Sequence, residues 1–287
     1  MNKGKNILTA KPEDYHRLFK TNRSNVFDDD SYLSKSTIWS LRNSSLYDWR
    51  FGNHTIKPTP AMDWGILVDI LTTSPEDFEA LTVLKKYDSF RSKEAQDWRD
   101  EQQAKNKLIL SNEMICEGHI AAKVLLETHK ESAFIFEKSR KQVIVAGKIA
   151  GIKIKGMIDI APFHADYLAD LKTTADFSIQ GFERSSANRG YYVQAGLYLA
   201  LWNALFPDDQ RSGFKIIWQN SKAPYEVAIS SLTEEDIQAG YMIAVHLINK
   251  IASAEKSNSW PMLTDGKQLT IARPSWQVFS DNQFLEK

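Results

Sequence analysis

"KQVIVAGKIAGIKIKGMIDIAPFHADYLADLKTT", residues 141–174, decides the fold. It reads as three strands, about Gln142–Ala146, Gly151–Ala161 and Tyr167–Lys172, with the loop "PFHAD" before the third. In the second strand Ile152, Ile154, Ile158 and Ile160 recur with period two and share one face. Lys153, Lys155, Met157 and Asp159 share the other. In the third, Asp170 and Lys172 stand at i and i+2, on one face. Antiparallel pairing of these two strands brings Asp159 near Asp170.

Downstream, "ANRGYYVQAGLYLALWNALF" reads as one long helix, "GFKIIWQ" and "YEVAIS" as two strands, and "TEEDIQAGYMIAVHLINKIASAE" as a closing helix capped by Thr233 with Asp236 three residues on. Upstream the pattern is helical. A short helix is expected around Thr37–Leu46. "TPAMDWGILVDIL" places Trp64, Leu67, Val68 and Leu71 at helical spacing. Ser74 and Pro75 have the types of a cap and a first helical residue. "SNEMICEGHIAAKVLLETH" carries an apolar stripe, with Ser111 as its cap. Residues 84–107 are dense in charge and show no clear packing face. The order predicts an α/β (α+β) fold, a central mixed β-sheet flanked by helices. One domain is expected, with residues 1–140 mainly helical, 141–255 holding sheet and helices, and 256–287 a tail.

Composition excludes several classes. Lysine plus arginine and aspartate plus glutamate both number 36, so the chain is no bulk polycation, although a local basic groove remains open to it. A single cysteine, Cys116, rules out an internal disulfide or a cysteine-built zinc site. The six histidines lack metal-ligand spacing, and no glycine-rich phosphate loop points to ATP. No apolar run has the length of a signal peptide core or a membrane span, so the chain reads as soluble and cytoplasmic, with no membrane partner.

Two carboxylates on one face repel unless a cation lies between them, and a hard ion such as Mg²⁺ takes oxygen ligands of this kind. Lys172 could then orient a water or neutralise charge on a phosphoryl transition state. Taken singly, Asp-X-Lys is common, and Asp159 could be an ordinary strand-end residue. Gln194 and Tyr198, at i and i+4, share a helix face. Either both face a cleft, or Tyr198 packs in the core and Gln194 is solvated.

"GMIDI", "YLADLKTT" and "YYVQAGLYLAL" together resemble the PD-(D/E)XK nuclease superfamily, with the Gln-X-X-X-Tyr helix of its RecB-like branch. More closely, the chain resembles the RecE-like (exodeoxyribonuclease VIII) exonucleases of phages and prophages. "SYLSKSTIWSLRNSSLYDWRFG" and "WGILVDILTTSPEDF" extend that likeness, which covers most of residues 30–276. The resemblance implies a restriction-endonuclease-like core in which Asp159 and Asp170 bind Mg²⁺ or Mn²⁺ and Lys172 is catalytic. Gln194 and Tyr198 would support the site, and Thr173 and Thr174 would contact DNA. Arg184 and Arg189 are candidates for phosphate contacts. Two positions depart from the family pattern. Asp69 stands where the family often has histidine, and Gln142 where it tends to have glutamate. Asp69 could still bind metal, and Glu113 or Glu117 could supply the missing acid. The implied activity is metal-dependent digestion of linear double-stranded DNA from 5′ ends, leaving a 3′ strand for a single-strand annealing protein, by a ring-like homo-oligomer. The rival readings are a catalytically degenerate DNA-binding protein and a RecB-like nuclease acting on single strands or flaps.

Overall fold

The structure, a computed structural model, describes Tyr15 and residues 19–55 and 57–285. Residues 1–14, 16–18, 56, 286 and 287 lie outside the described part. A two-residue strand, β1 (Leu33–Ser34), leads into α1 (Lys35–Trp39), a 3₁₀ turn (Ser40–Asn43), α2 (Leu46–Phe51), α3 (Pro60–Thr73) and α4 (Phe78–Leu81). β2 (Thr82–Leu84), α5 (Lys93–Ala104) and β3 (Leu108–Leu110) make a small insert whose two strands pair in parallel. α6 (Asn112–Lys123) runs through a π turn (Val124–Thr128) into α7 (Lys130–Glu137). The main sheet follows: β4 (Ser139–Ile149), β5 (Ile152–Pro162), β6 (Tyr167–Thr174), then α8 (Ile179–Arg189) and α9 (Tyr191–Leu205), then β7 (Gly213–Asn220) and β8 (Val227–Ser231). α10 (Glu234–Ser257) and α11 (Ser275–Leu285) close the described chain. Among the described residues no helix is long and apolar enough to cross a membrane.

β4 and β5 form a long antiparallel hairpin, and β6 pairs antiparallel with the far half of β5. β1 takes the same edge of β5 further back, at Leu33↔Ile154. β6 and β7 run parallel, which requires a crossover, and α8 with α9 supplies it. β8 returns antiparallel to β7. The sheet is therefore mixed and flanked by helices, as the order of elements predicts. Its two faces bury separate cores. Ile154, Ile158, Phe214 and Trp218 pack against α9 and α10, while Ile160, Leu171 and Ile217 pack against α3, α6 and α7. α9 is apolar all round because it lies between the sheet and α10.

Three local expectations change. The helix expected at Thr37–Leu46 is two helices and a turn, because the Ser45 hydroxyl accepts the Asp48 amide and starts α2 afresh. Ser111 and Thr233 do cap, but Ser74 does not: its ψ of 55° lies outside the extended region a cap needs, and a 3₁₀ turn follows. The long helix at 187–206 breaks at Gly190, whose φ of 63° is left-handed. A Cβ there would stand 2.7 Å from the Trp39 indole. Gly190→Ala therefore combines backbone strain with overpacking. A loss of about 3 kcal/mol is expected, read from the denaturant midpoint.

Candidate active site

The site forms where β5 and β6 part. Their one paired position is Ile160↔Ala169, which sets Asp159 opposite Asp170. Beyond it the Asp159 carboxylate takes the place of a ladder carbonyl: Oδ2 accepts the Leu171 amide at 3.0 Å. The face alternation of β5 slips at the same row. Ile152, Ile154 and Ile158 enter the α9-side core, but Ile160 enters the other, so the four isoleucines do not share one face. Opposite Asp159 on β4, Gln142 has φ 49°, a conformation that non-glycine residues rarely adopt. Such strain persists only where the surroundings over-determine it, and it gathers at functional sites.

Asp170 is 2% exposed and fully engaged. One carboxylate oxygen accepts Gln194 Nε2 at 2.6 Å, and the other pairs with Lys172 Nζ. Lys172 lies beneath Tyr191, its Nζ 5.1 Å from the ring centroid. Burial works against the lysine's charge, but Asp170 and Asp159 outweigh it and hold the ammonium protonated. Asp159 stands the other way. Burial first, then the charge of Asp170, lift it well above the usual carboxylate range. Tyr198 packs in the core, its ring against Gly156, where a Cβ would come within 2.6 Å. Of the two helix residues, then, Gln194 reaches the acids and Tyr198 supports them from the core, its hydroxyl hydrogen-bonded to the Met157 backbone.

The two departures from the family pattern meet. Asp69, from α3, accepts Gln142 Nε2 at 3.2 Å, and the same amide donates to Thr73 Oγ1 at 2.8 Å. Burial, opposed by Lys172 and reinforced by Asp170, pushes Asp69 up to about 6. A polar cavity of about 700 Å³ opens beside Gln142 and Thr73. A raised carboxylate stabilises the fold only while protonated. In EDTA, thermal stability should therefore fall as pH rises from about 4 to about 6. Asp69→Asn should flatten that slope, as differential scanning fluorimetry would read.

Other candidates stand elsewhere. Glu113 and Glu117 are exposed on α6, where Glu117 faces the Tyr225 hydroxyl. Thr173 Oγ1 lies 3.3 Å from where a Cβ on Gly65 of α3 would stand, and Thr174 makes a turn with Asp176. Arg184 is paired with Asp176 at 2.5 Å on the surface. Arg189 is exposed at the end of α8, beside Lys35 and Tyr191. His164 is exposed in the β5–β6 turn, and Trp49 and Trp64 are buried in the cores. Sequence reasoning missed Lys35 and Tyr191. Lysine as the first residue of a helix, where the dipole disfavours a cation, was the available signal for Lys35.

The donor set fits a hard divalent ion. Two oxygen donors face each other across β5 and β6, and the repulsion that raises Asp159 is what a cation would relieve. Among the described residues no three His, Cys, Asp or Glu side chains form a metal cage. Two carboxylates completed by waters and substrate oxygens is the coordination Mg²⁺ accepts.

Residues 34–271 match the family described as a PDDEXK-like domain of unknown function (DUF3799). The chain belongs to this PDDEXK-like family. Its fold is shared with the crystal structure of a "Putative exonuclease" from Eubacterium rectale, at 14% identity and a TM-score of 0.59, covering 94% of this chain and 97% of that one. The structure of SSO0001 matches more weakly, at 14% identity and a TM-score of 0.30, covering 65% of this chain and 85% of that one. No curated protein matches the sequence.

Proposed function

We propose that this PDDEXK-like protein is a divalent-metal-dependent DNA exonuclease of the RecE-like kind, hydrolysing phosphodiester bonds at the ends of linear duplexes from the 5′ side. The observation that carries the reading is Asp159 set opposite Asp170, with Lys172 two residues on and Gln194 fixing Asp170. The fold shared with the Eubacterium rectale protein, and the exonuclease name that protein carries, support it.

Asp159 and Asp170 would hold Mg²⁺ or Mn²⁺, with Asp69 behind them. When bound, such an ion polarises a phosphoryl oxygen and acidifies water. Gln194 holds Asp170 in one rotamer. Lys172, locked in its charged form, is a cation and hydrogen-bond donor rather than a base. It orients the attacking water and offsets charge that grows on the phosphorus oxygens as the P–O bond breaks. Release of a 3′-ended strand to an annealing protein, and assembly around duplex, follow as parts of the same proposal.

Gln142 favours one rival, a DNA-binding protein without turnover, because an amide stands where the family pattern has an acid. Nucleotide release from blunt linear duplex labelled at either end, in Mg²⁺, Mn²⁺ or EDTA and beside a single strand, separates the readings. Metal-dependent release from the 5′ label of duplex supports the proposal. Binding that survives EDTA with no release under any metal establishes the rival. Preferential attack on the single strand moves the protein to the RecB-like reading.

A further inference from the structure

Lys35 begins α1 and is 8% exposed. A lysine there opposes the positive end of the helix dipole and loses most of its hydration. Part of its role is plain. Its Nζ donates to Arg189 O at 2.9 Å, while Trp39 Nε1 and Arg42 Nη1 donate to Asn188 O and Ala187 O at 3.2 and 3.1 Å. Three side chains of the Lys35–Arg42 segment thus satisfy three consecutive carbonyls at the end of α8, and hold the Gly190 junction from which α9 starts. That clasp needs donors, not charge, as the neutral indole of Trp39 shows.

The charge has another address. Lys35 Nζ stands 5.6 Å from the Tyr191 centroid, over the same ring that Lys172 covers. Burial and then the neighbouring Lys172 ammonium pull Lys35 down to about 8, against partial support from Asp170. Two carboxylates side by side call for a cation; two ammonium groups that approach one ring and repel each other call for an anion. Lys172 already answers Asp170. Among the described residues no carboxylate forms an ion pair with Lys35, which leaves room for an anion from outside the chain. Its single hydrogen bond among the described residues leaves two of its three N–H groups to donate.

We infer that Lys35 contacts substrate, its ammonium binding a backbone phosphate of the DNA strand that lies against Lys172. This rests on the nuclease reading for the identity of the anion. A phosphate held by Lys35 and Lys172 together would fix the strand on the Tyr191 side of the acids, opposite the Asp69–Gln142 side.

The test is equilibrium binding of a short blunt duplex in EDTA over a salt series, for wild type, Lys35→Gln, Lys35→Arg and Trp39→Phe, with thermal midpoints as the folding check. Loss of one phosphate contact should weaken binding by Lys35→Gln about tenfold and lower the slope of log K against log salt by about one. Lys35→Arg should keep the wild-type slope. Trp39→Phe, which weakens the clasp and leaves the charge, should keep it too. An unchanged slope in Lys35→Gln, or an equal fall in Trp39→Phe, would overturn the inference and leave Lys35 a clasp residue. Wild-type protein that binds with the expected slope difference but never cleaves would defeat the nuclease reading and sustain the phosphate contact. Wild-type protein that does not bind DNA would overturn both.

Discussion

Lys172→Met should lower nucleotide release from duplex DNA by about 10³-fold or more, with the fold and the metal-dependent thermal shift retained. The size follows from where the charge sits. Nζ pairs with Asp170 and is held protonated by two carboxylates, under the Tyr191 ring. A preorganised donor in a water-poor site is worth far more to a developing charge than one in solution, and removing one costs about 10²–10³. In the proposed reaction the same group also orients the nucleophile. Methionine keeps the stem's volume without the charge, and both carboxylates remain for the ion. Lys172→Arg should not rescue, because a planar fork cannot replace a compact ammonium between Asp170 and Tyr191. A Lys172→Met protein retaining more than a tenth of wild-type turnover would remove Lys172 from the chemistry.

What the sequence made legible follows the reach of each signal. Period-two alternation and the i, i+2 spacing of Asp170 and Lys172 are local, and they located β5, β6 and the acid row. The helical spacing of Gln194 and Tyr198 put both on α9, although only Gln194 reaches an acid. The slip at Asp159 was not legible, because it arises from the parting of two strands rather than from any run of residues. Nor was the meeting of Asp69 and Gln142, 73 residues apart, which by sequence counted as two separate losses and in space forms one hydrogen-bonded pair. Lys35 and Arg189 lie 154 residues apart. The break at Gly190 could have been read, since glycine after a polar helical stretch marks a C-terminus. The insert from β2 to β3 could not: its strands are three residues each and α5 buries only Ala95.

Asp170→Asn and Asp159→Asn should both abolish release of nucleotides, yet move stability in opposite directions in EDTA. Asp170 is itself buried, and it is the counter-ion of the half-buried Lys172 and the acceptor for Gln194. Removing one member of a buried pair leaves the other uncompensated. Asp159 is still present to share Lys172, so the loss should fall near the low end of the known range. That is about 3 kcal/mol, or about 6 °C in midpoint. Asp159 is the strained member of the acid pair, raised by burial and by Asp170. Its neutral carboxyl contributes stability that is fully present below the unfolded value and is lost as pH rises through the raised folded one, so wherever the group is charged that charge is a burden. Asparagine removes that charge and keeps an oxygen for the Leu171 amide. The midpoint should rise by about 2 °C. Magnesium should then raise wild type relative to both variants, because it stabilises only a site with both carboxylates, by mass action on the folded state. Wild type should gain in Mg²⁺ while neither variant does. A metal-dependent gain in both variants would place the ion elsewhere. Equal destabilisation by both in EDTA would show that Asp159 is paired as favourably as Asp170, and that no repulsion exists for a cation to relieve.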